Sequence, residues 1–85
     1  MSFEIELTEH ALEDLEFWKS DSKTLKKIKR LLTSMSETPF KGIGKPEPLK
    51  YDLSGYWSRR IDLENRIVYK VENNSVIVIQ MRYHY

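Results

Sequence analysis

Eighty-five residues with no cysteine and a formal net charge of +1 exclude a disulfide framework, a thiolate nucleophile and a cysteine-built metal site. A chain of this length predicts one domain over residues 1–85 with a modest core, so function must sit on a surface or in a shallow cleft. Met1-Ser2-Phe3-Glu4-Ile5-Glu6 has neither the basic start nor the apolar stretch of a signal peptide, and the longest apolar run, Val76-Ile77-Val78-Ile79, is strand-sized. A soluble, cytoplasmic protein with no membrane partner is the expectation.

Phe3-Glu4-Ile5-Glu6-Leu7 alternates apolar and acidic residues, the period of a half-buried strand. Thr8 then caps a helix in which Ala11, Leu12, Leu15 and Trp18 recur at helical spacing, with Glu9, Glu13 and Asp14 near its positive end. Ser20-Asp21-Ser22 breaks that helix and caps a second. There Leu25, Ile28, Leu31, Leu32 and Met35 form the apolar stripe, and Lys23, Lys26, Lys27, Lys29 and Arg30 face outward without an intervening acid. So short a connection predicts an antiparallel helical hairpin. For the basic helix alone, a solvated face explains as much as a polyanion footprint.

From Glu37 to Pro48 the prolines and glycines predict an irregular loop. Four strand signals follow: Lys50 to Leu53, Tyr56 to Asp62, Arg66 to Glu72 and Val76 to Arg82, with turns at Ser54-Gly55, Leu63-Glu64-Asn65 and Asn73-Asn74. The order predicts an α+β fold, a small antiparallel-rich sheet with an N-terminal strand and a helical hairpin on one face. Strict alternation puts Ile67, Tyr69, Val71, Ile77, Ile79, Met81 and Tyr83 against the helices. Arg66, Val68, Lys70, Val78, Gln80, Arg82 and His84 then share the open face.

Four features bear on chemistry. Glu47 stands between Pro46 and Pro48, whose rings stiffen the backbone around a carboxylate, although an exposed loop acid is the commoner explanation. His84 carries an imidazole that exchanges protons near neutrality, set between Tyr83 and Tyr85. His10 is the other histidine, and two isolated imidazoles do not suggest a metal site. Arg59, Arg60 and Arg66 lie on adjacent predicted strands, where guanidinium forks match phosphate or pair with Asp62 and Glu64. Tyr56, Trp57, Tyr69, Tyr83 and Tyr85 supply rings for stacking, Trp57 and Tyr69 being expected in the core. A base, an acid and a phosphate clamp are what RNA scission by the ribose 2′-hydroxyl needs.

The run Thr38-Pro39-Phe40, Gly42, Gly44-Lys45-Pro46-Glu47-Pro48-Leu49-Lys50, then Leu53-Ser54-Gly55, Trp57-Ser58-Arg59-Arg60-Ile61, Arg66, Val68-Tyr69 and the ending Arg82-Tyr83-His84-Tyr85 resembles the YoeB/Txe branch of the RelE-like bacterial toxins. The resemblance covers nearly the whole chain and is strongest from Thr38 onward. It implies a type II toxin: a metal-independent endoribonuclease without cofactor that cleaves mRNA at the ribosomal A site, leaving 2′,3′-cyclic phosphate and 5′-hydroxyl ends. It places the general base on Glu47, the phosphate-stabilising arginine on Arg66, the general acid on His84 and a substrate-positioning tyrosine on Tyr85. RNA contacts would fall on Lys50, Arg59, Arg60, Arg82 and Tyr83, and ribosome contacts on Lys23, Lys26, Lys27, Lys29 and Arg30. The implied partners are a YefM-like antitoxin of the Phd/YefM family, mRNA and the bacterial ribosome, a second copy in a homodimer, and operator DNA through the antitoxin complex. A non-catalytic RNA- or DNA-binding module, a topoisomerase-directed toxin of the same superfold and a pure interaction protein are the rival readings. The second of these lacks the base–acid pair.

Overall fold

The computed structural model describes residues 2–82. Strand β1 (Glu4–Leu7) leads into helices α1 (Glu9–Trp18) and α2 (Ser22–Glu37); strands β2 (Glu47–Pro48), β3 (Trp57–Arg60), β4 (Arg66–Glu72) and β5 (Ser75–Gln80) follow. The sheet order is β1-β5-β4-β3-β2, with β1 parallel to β5 and the other pairings antiparallel. This is the α+β arrangement that the alternating and helical periods predict.

Both helices start where hydrogen-bonding side chains stand ready. The Thr8 hydroxyl accepts from the Ala11 N–H at 3.2 Å, and the Asp21 carboxylate accepts from the Thr24 N–H at 3.1 Å. That bond, with a second from the Thr24 hydroxyl to the same carboxylate at 2.8 Å, holds the Asp21 carboxyl below its ordinary value. In α2 the stripe Ile28, Leu31 and Met35 is fully buried, against Ile67 and Tyr69 of β4 and Val76 and Val78 of β5. Burying each such side chain contributes on the order of 1.5–3 kcal/mol, and Leu31→Ala would cost roughly 2–5 kcal/mol. α1 departs from its expected stripe: Leu12 is 51% exposed, while Asp14 is buried between Ala11 and Trp18. Among the described residues no helix is long and apolar enough to cross a membrane.

Two strand expectations need correction. Lys50 to Leu53 is not a strand; Tyr51–Leu53 is a 3₁₀ turn, and the edge strand lies earlier, at Glu47–Pro48. Proline lacks an N–H, so Pro48 is compatible only with an edge, and β2 pairs with β3 alone. In β5 the alternation slips. Tyr69 pairs with Val78 but Val68 with Gln80, leaving Ile79 as the extra residue of a bulge. Before the bulge, Val76 and Val78 are buried and Ile77 lies beside Lys70 on the open face, the reverse of the expectation. After it the parity flips, so Met81 is buried and Gln80 shares the open face with Val68, as expected. The Asn73-Asn74 turn forms as read, with Asn73 at φ 55° between the paired Glu72 and Ser75.

Candidate active site on the open sheet face

The pairings Glu47↔Ser58, Ser58↔Val68 and Arg60↔Arg66 put these side chains on the sheet face away from the helices. Glu47 and Arg66 stand two strands apart, and an arginine is long enough to bridge that gap. Arg66 Nη1 donates to Ser58 Oγ at 3.1 Å and to Glu47 Oε1 at 2.5 Å. The Arg66 side chain is only 13% exposed while that of Glu47 is 51% exposed, so the guanidinium is held by its surroundings and the carboxylate faces solvent. Arg60 is exposed directly across from Arg66, its backbone N–H donating to the Gly44 carbonyl at 2.7 Å. Two cations side by side repel. Glu47 offsets part of that repulsion, and a phosphate would offset more.

Arg59 is not on this face, and its expected RNA contact is corrected. It alternates inward with Trp57 and is 0% exposed. All five guanidinium donors are used: Nε on Tyr69 Oη (3.1 Å), Nη1 on Ser34 Oγ (2.8 Å) and the Ile43 carbonyl (3.1 Å), Nη2 on the Thr38 (2.7 Å) and Lys41 (2.9 Å) carbonyls. Tyr69 Oη donates onward to the Pro39 carbonyl at 2.7 Å. Burial raises the Tyr69 hydroxyl above its ordinary value, and Arg59 partly opposes the rise. Gly44, at φ 82°, lets the loop pass so close that a Cβ there would lie 2.6 Å from Leu31 Cδ2. Arg59 thus ties down the segment that delivers Glu47.

Arg82 also departs from expectation. Its guanidinium lies 3.5 Å over the Phe17 ring, which turns it toward α1. Lys50 is exposed beside β2, where Glu47, Lys50 and Tyr51 border a hollow of about 390 Å³. Tyr51, which no feature of the sequence singles out, is 92% exposed and held at φ 59°. Ser58 also joins the site, and its position between Trp57 and Arg59 on an alternating strand is the sequence signal for it. Lys23, Lys26, Lys27 and Arg30 line a cleft of about 640 Å³ with Asp62, and Lys29 borders a neighbouring hollow. Tyr83, His84 and Tyr85 lie outside the described residues. Among the described residues, no cluster of three or more His, Cys, Asp or Glu side chains could hold a metal ion.

A five-stranded mixed sheet with helices on one face is the fold of the YoeB- and RelE-like toxins. It is shared by the YoeB/ParE toxin from Agrobacterium tumefaciens, with a TM-score of 0.93 and 46% identity over 96% of this chain and 99% of that one. The toxin in the YoeB-YefM complex from Staphylococcus aureus aligns with a TM-score of 0.88 and 40% identity over the whole of both chains. Toxin YoeB of Streptomyces coelicolor is 54% identical over 82 residues, 95% of this chain and 98% of that protein. Residues 7–85 match the family described as YoeB-like toxins of bacterial type II toxin-antitoxin systems, and the chain belongs to that family.

Proposed function

We propose that this toxin is a metal-independent endoribonuclease that cuts mRNA at the ribosomal A site. The observation that carries the reading is the meeting of Glu47 and Arg66 over Ser58 on a face left open by the helices. Glu47 takes the proton of the ribose 2′-hydroxyl, whose oxygen attacks the adjacent phosphorus. Arg66, released from Glu47 to the incoming phosphate, stabilises the charge that builds on the equatorial oxygens, and Arg60 and Lys50 add to the field. His84 delivers a proton to the departing 5′-oxygen, and Tyr85 positions the substrate. The bond from phosphorus to the 5′-oxygen breaks as the bond to the 2′-oxygen forms, which leaves 2′,3′-cyclic phosphate and 5′-hydroxyl ends. Tyr51, exposed on the border of the Glu47 hollow, offers a ring for a flanking base.

The basic cleft of α2 contacts ribosomal RNA, and a YefM-like antitoxin silences the protein. The solved complex of the Staphylococcus aureus relative supports that pairing. The test is end-group analysis of the products formed on ribosome-bound mRNA. Cyclic phosphate ends are expected. Products with 3′-hydroxyl and 5′-phosphate ends would overturn the mechanism.

A further inference from the structure

Ser58 takes no part in the proton transfers above, yet it is 0% exposed on the sheet face away from the helices. Its cross-strand partner there, Val68, is apolar and 3% exposed. A hydroxyl costs more than a methyl group at such a position unless it finds a hydrogen-bond partner. The partner it finds is Arg66, whose Nη1 donates to Ser58 Oγ at 3.1 Å. Register accounts for the meeting. Ser58 lies directly opposite Glu47 of β2 and opposite Val68 of β4, and Arg66 is two places before Val68. A diagonal neighbour of that kind is about 7–8 Å away, within reach of a long side chain. Ser58 therefore sits beneath the span between the carboxylate and the guanidinium.

Nη1 is shared between two acceptors of opposite character. Glu47 Oε1, at 2.5 Å, is charged and belongs to a side chain 51% exposed on the edge strand β2. Ser58 Oγ is neutral and buried on β3, which is paired on both sides. The carboxylate cannot hold Arg66 throughout the reaction, because taking the 2′-hydroxyl proton neutralises it while the phosphate competes for the same N–H. The serine is under neither constraint. Being neutral, it also holds the guanidinium without cancelling the charge that the phosphate needs, as a second carboxylate would.

We propose that Ser58 is a positioning residue for the ribonuclease reaction: its hydroxyl keeps the Arg66 guanidinium in place as Glu47 hands it over to the scissile phosphate. The proposal rests on the reading of Arg66 as the phosphate clamp. Without the hydroxyl, the guanidinium loses its fixed point at the step where its other acceptor changes. A displacement of about 1 Å in a catalytic site can cost on the order of 10²-fold in rate. Ribosome binding, carried by α2 in the reading above, does not depend on this contact.

The test is single-turnover cleavage of ribosome-bound mRNA by the parent, Ser58→Ala, Ser58→Thr, Arg66→Ala and the double variant Ser58→Ala/Arg66→Ala. Ser58→Ala should lose roughly 10- to 100-fold in rate with ribosome cosedimentation unchanged. Ser58→Thr keeps the hydroxyl and should recover most of that loss. In the Arg66→Ala background Ser58→Ala should cost nothing further, because the group it positions is gone. The same contact is read without turnover from the Arg66 guanidinium resonances in nuclear magnetic resonance, whose rotation should be faster in Ser58→Ala than in the parent. Urea unfolding of each variant separates these effects from global destabilisation. If Ser58→Ala does not fold, Ser58→Cys, with a weak acceptor in place of the hydroxyl, carries the same comparison. An impaired Arg66→Ala with Ser58→Ala at parental rate overturns the positioning role alone. So does a Ser58→Ala loss that is as large without Arg66, or guanidinium rotation that Ser58→Ala leaves unchanged. Arg66→Ala at parental rate overturns the phosphate-clamp assignment, and this proposal with it.

Discussion

Replacing Arg59 by alanine should unfold much of what makes the toxin stable, and the size of the loss follows from its surroundings. The guanidinium is 0% exposed and its donors serve two hydroxyls and three carbonyls. Truncation leaves those oxygens without their donor inside the protein and opens a cavity where the side-chain stem packed. Hydrogen bonds to charged groups are worth about 1.5–3 kcal/mol each but do not add, and breaking a buried charged network typically costs about 3–5 kcal/mol. A domain of 85 residues has roughly 4–13 kcal/mol in total. Arg59→Ala should therefore remove about 4 kcal/mol, lowering the urea midpoint by about 2 M at a slope of about 2 kcal/mol per M. Arg59→Lys should lose less, because an ammonium supplies three donors in place of five. Arg60→Ala, on the open face, should shift the midpoint little. A loss below about 1 kcal/mol for Arg59→Ala would refute the reasoning, since a surface RNA contact would behave that way.

Tyr69 sets an alkaline limit. Its hydroxyl is raised above the ordinary value of 10.0 by burial, so the folded state holds the proton after the unfolded state has lost it. That contribution to stability is full below about pH 10 and is lost as pH climbs through the raised folded-state value. Tyr69→Phe should flatten this alkaline limb in urea titrations while lowering stability at pH 7, and an unchanged limb would contradict the assignment. Reversing Lys26, Lys27 and Arg30 to glutamate should weaken cosedimentation with ribosomes several-fold without changing the fold, and parental sedimentation would dismiss the cleft's role. Tyr51→Asn should gain stability, because asparagine tolerates the positive φ better. It should also weaken RNA binding several-fold; equal affinity would remove Tyr51 from the interface.

The parts of the molecule that the sequence made legible are those with a clean period. Ile28, Leu31 and Met35 recur at helical spacing, and Ile67, Tyr69 and Val71 at strand spacing, and both sets face the core. Strict alternation misplaces Ile77 and Val78 because one bulge residue, Ile79, resets the period, and bulges leave little composition signature. β2 escaped notice because it is a two-residue strand beside prolines. The resemblance puts Arg59 among the RNA contacts, yet its own strand holds the contrary signal: with Trp57 inward, Arg59 must also face inward. Local sequence makes Asp14 a helix-dipole partner only, because its acceptor role depends on Met81, 67 positions away in sequence, and no local rule reaches that far. Glu47 and Arg66 stood out one at a time in the sequence, but their meeting over Ser58 required the register of three strands.

The most direct test of the central claim is primer extension on an mRNA incubated with purified ribosomes, with the parent protein or its Glu47→Ala form. The account requires a sharp A-site cut from the parent that weakens by about 10²–10⁴-fold in the variant, with the fold intact by urea unfolding. Equal cleavage by the two proteins, or a translation stall with no cut from the parent, would contradict it.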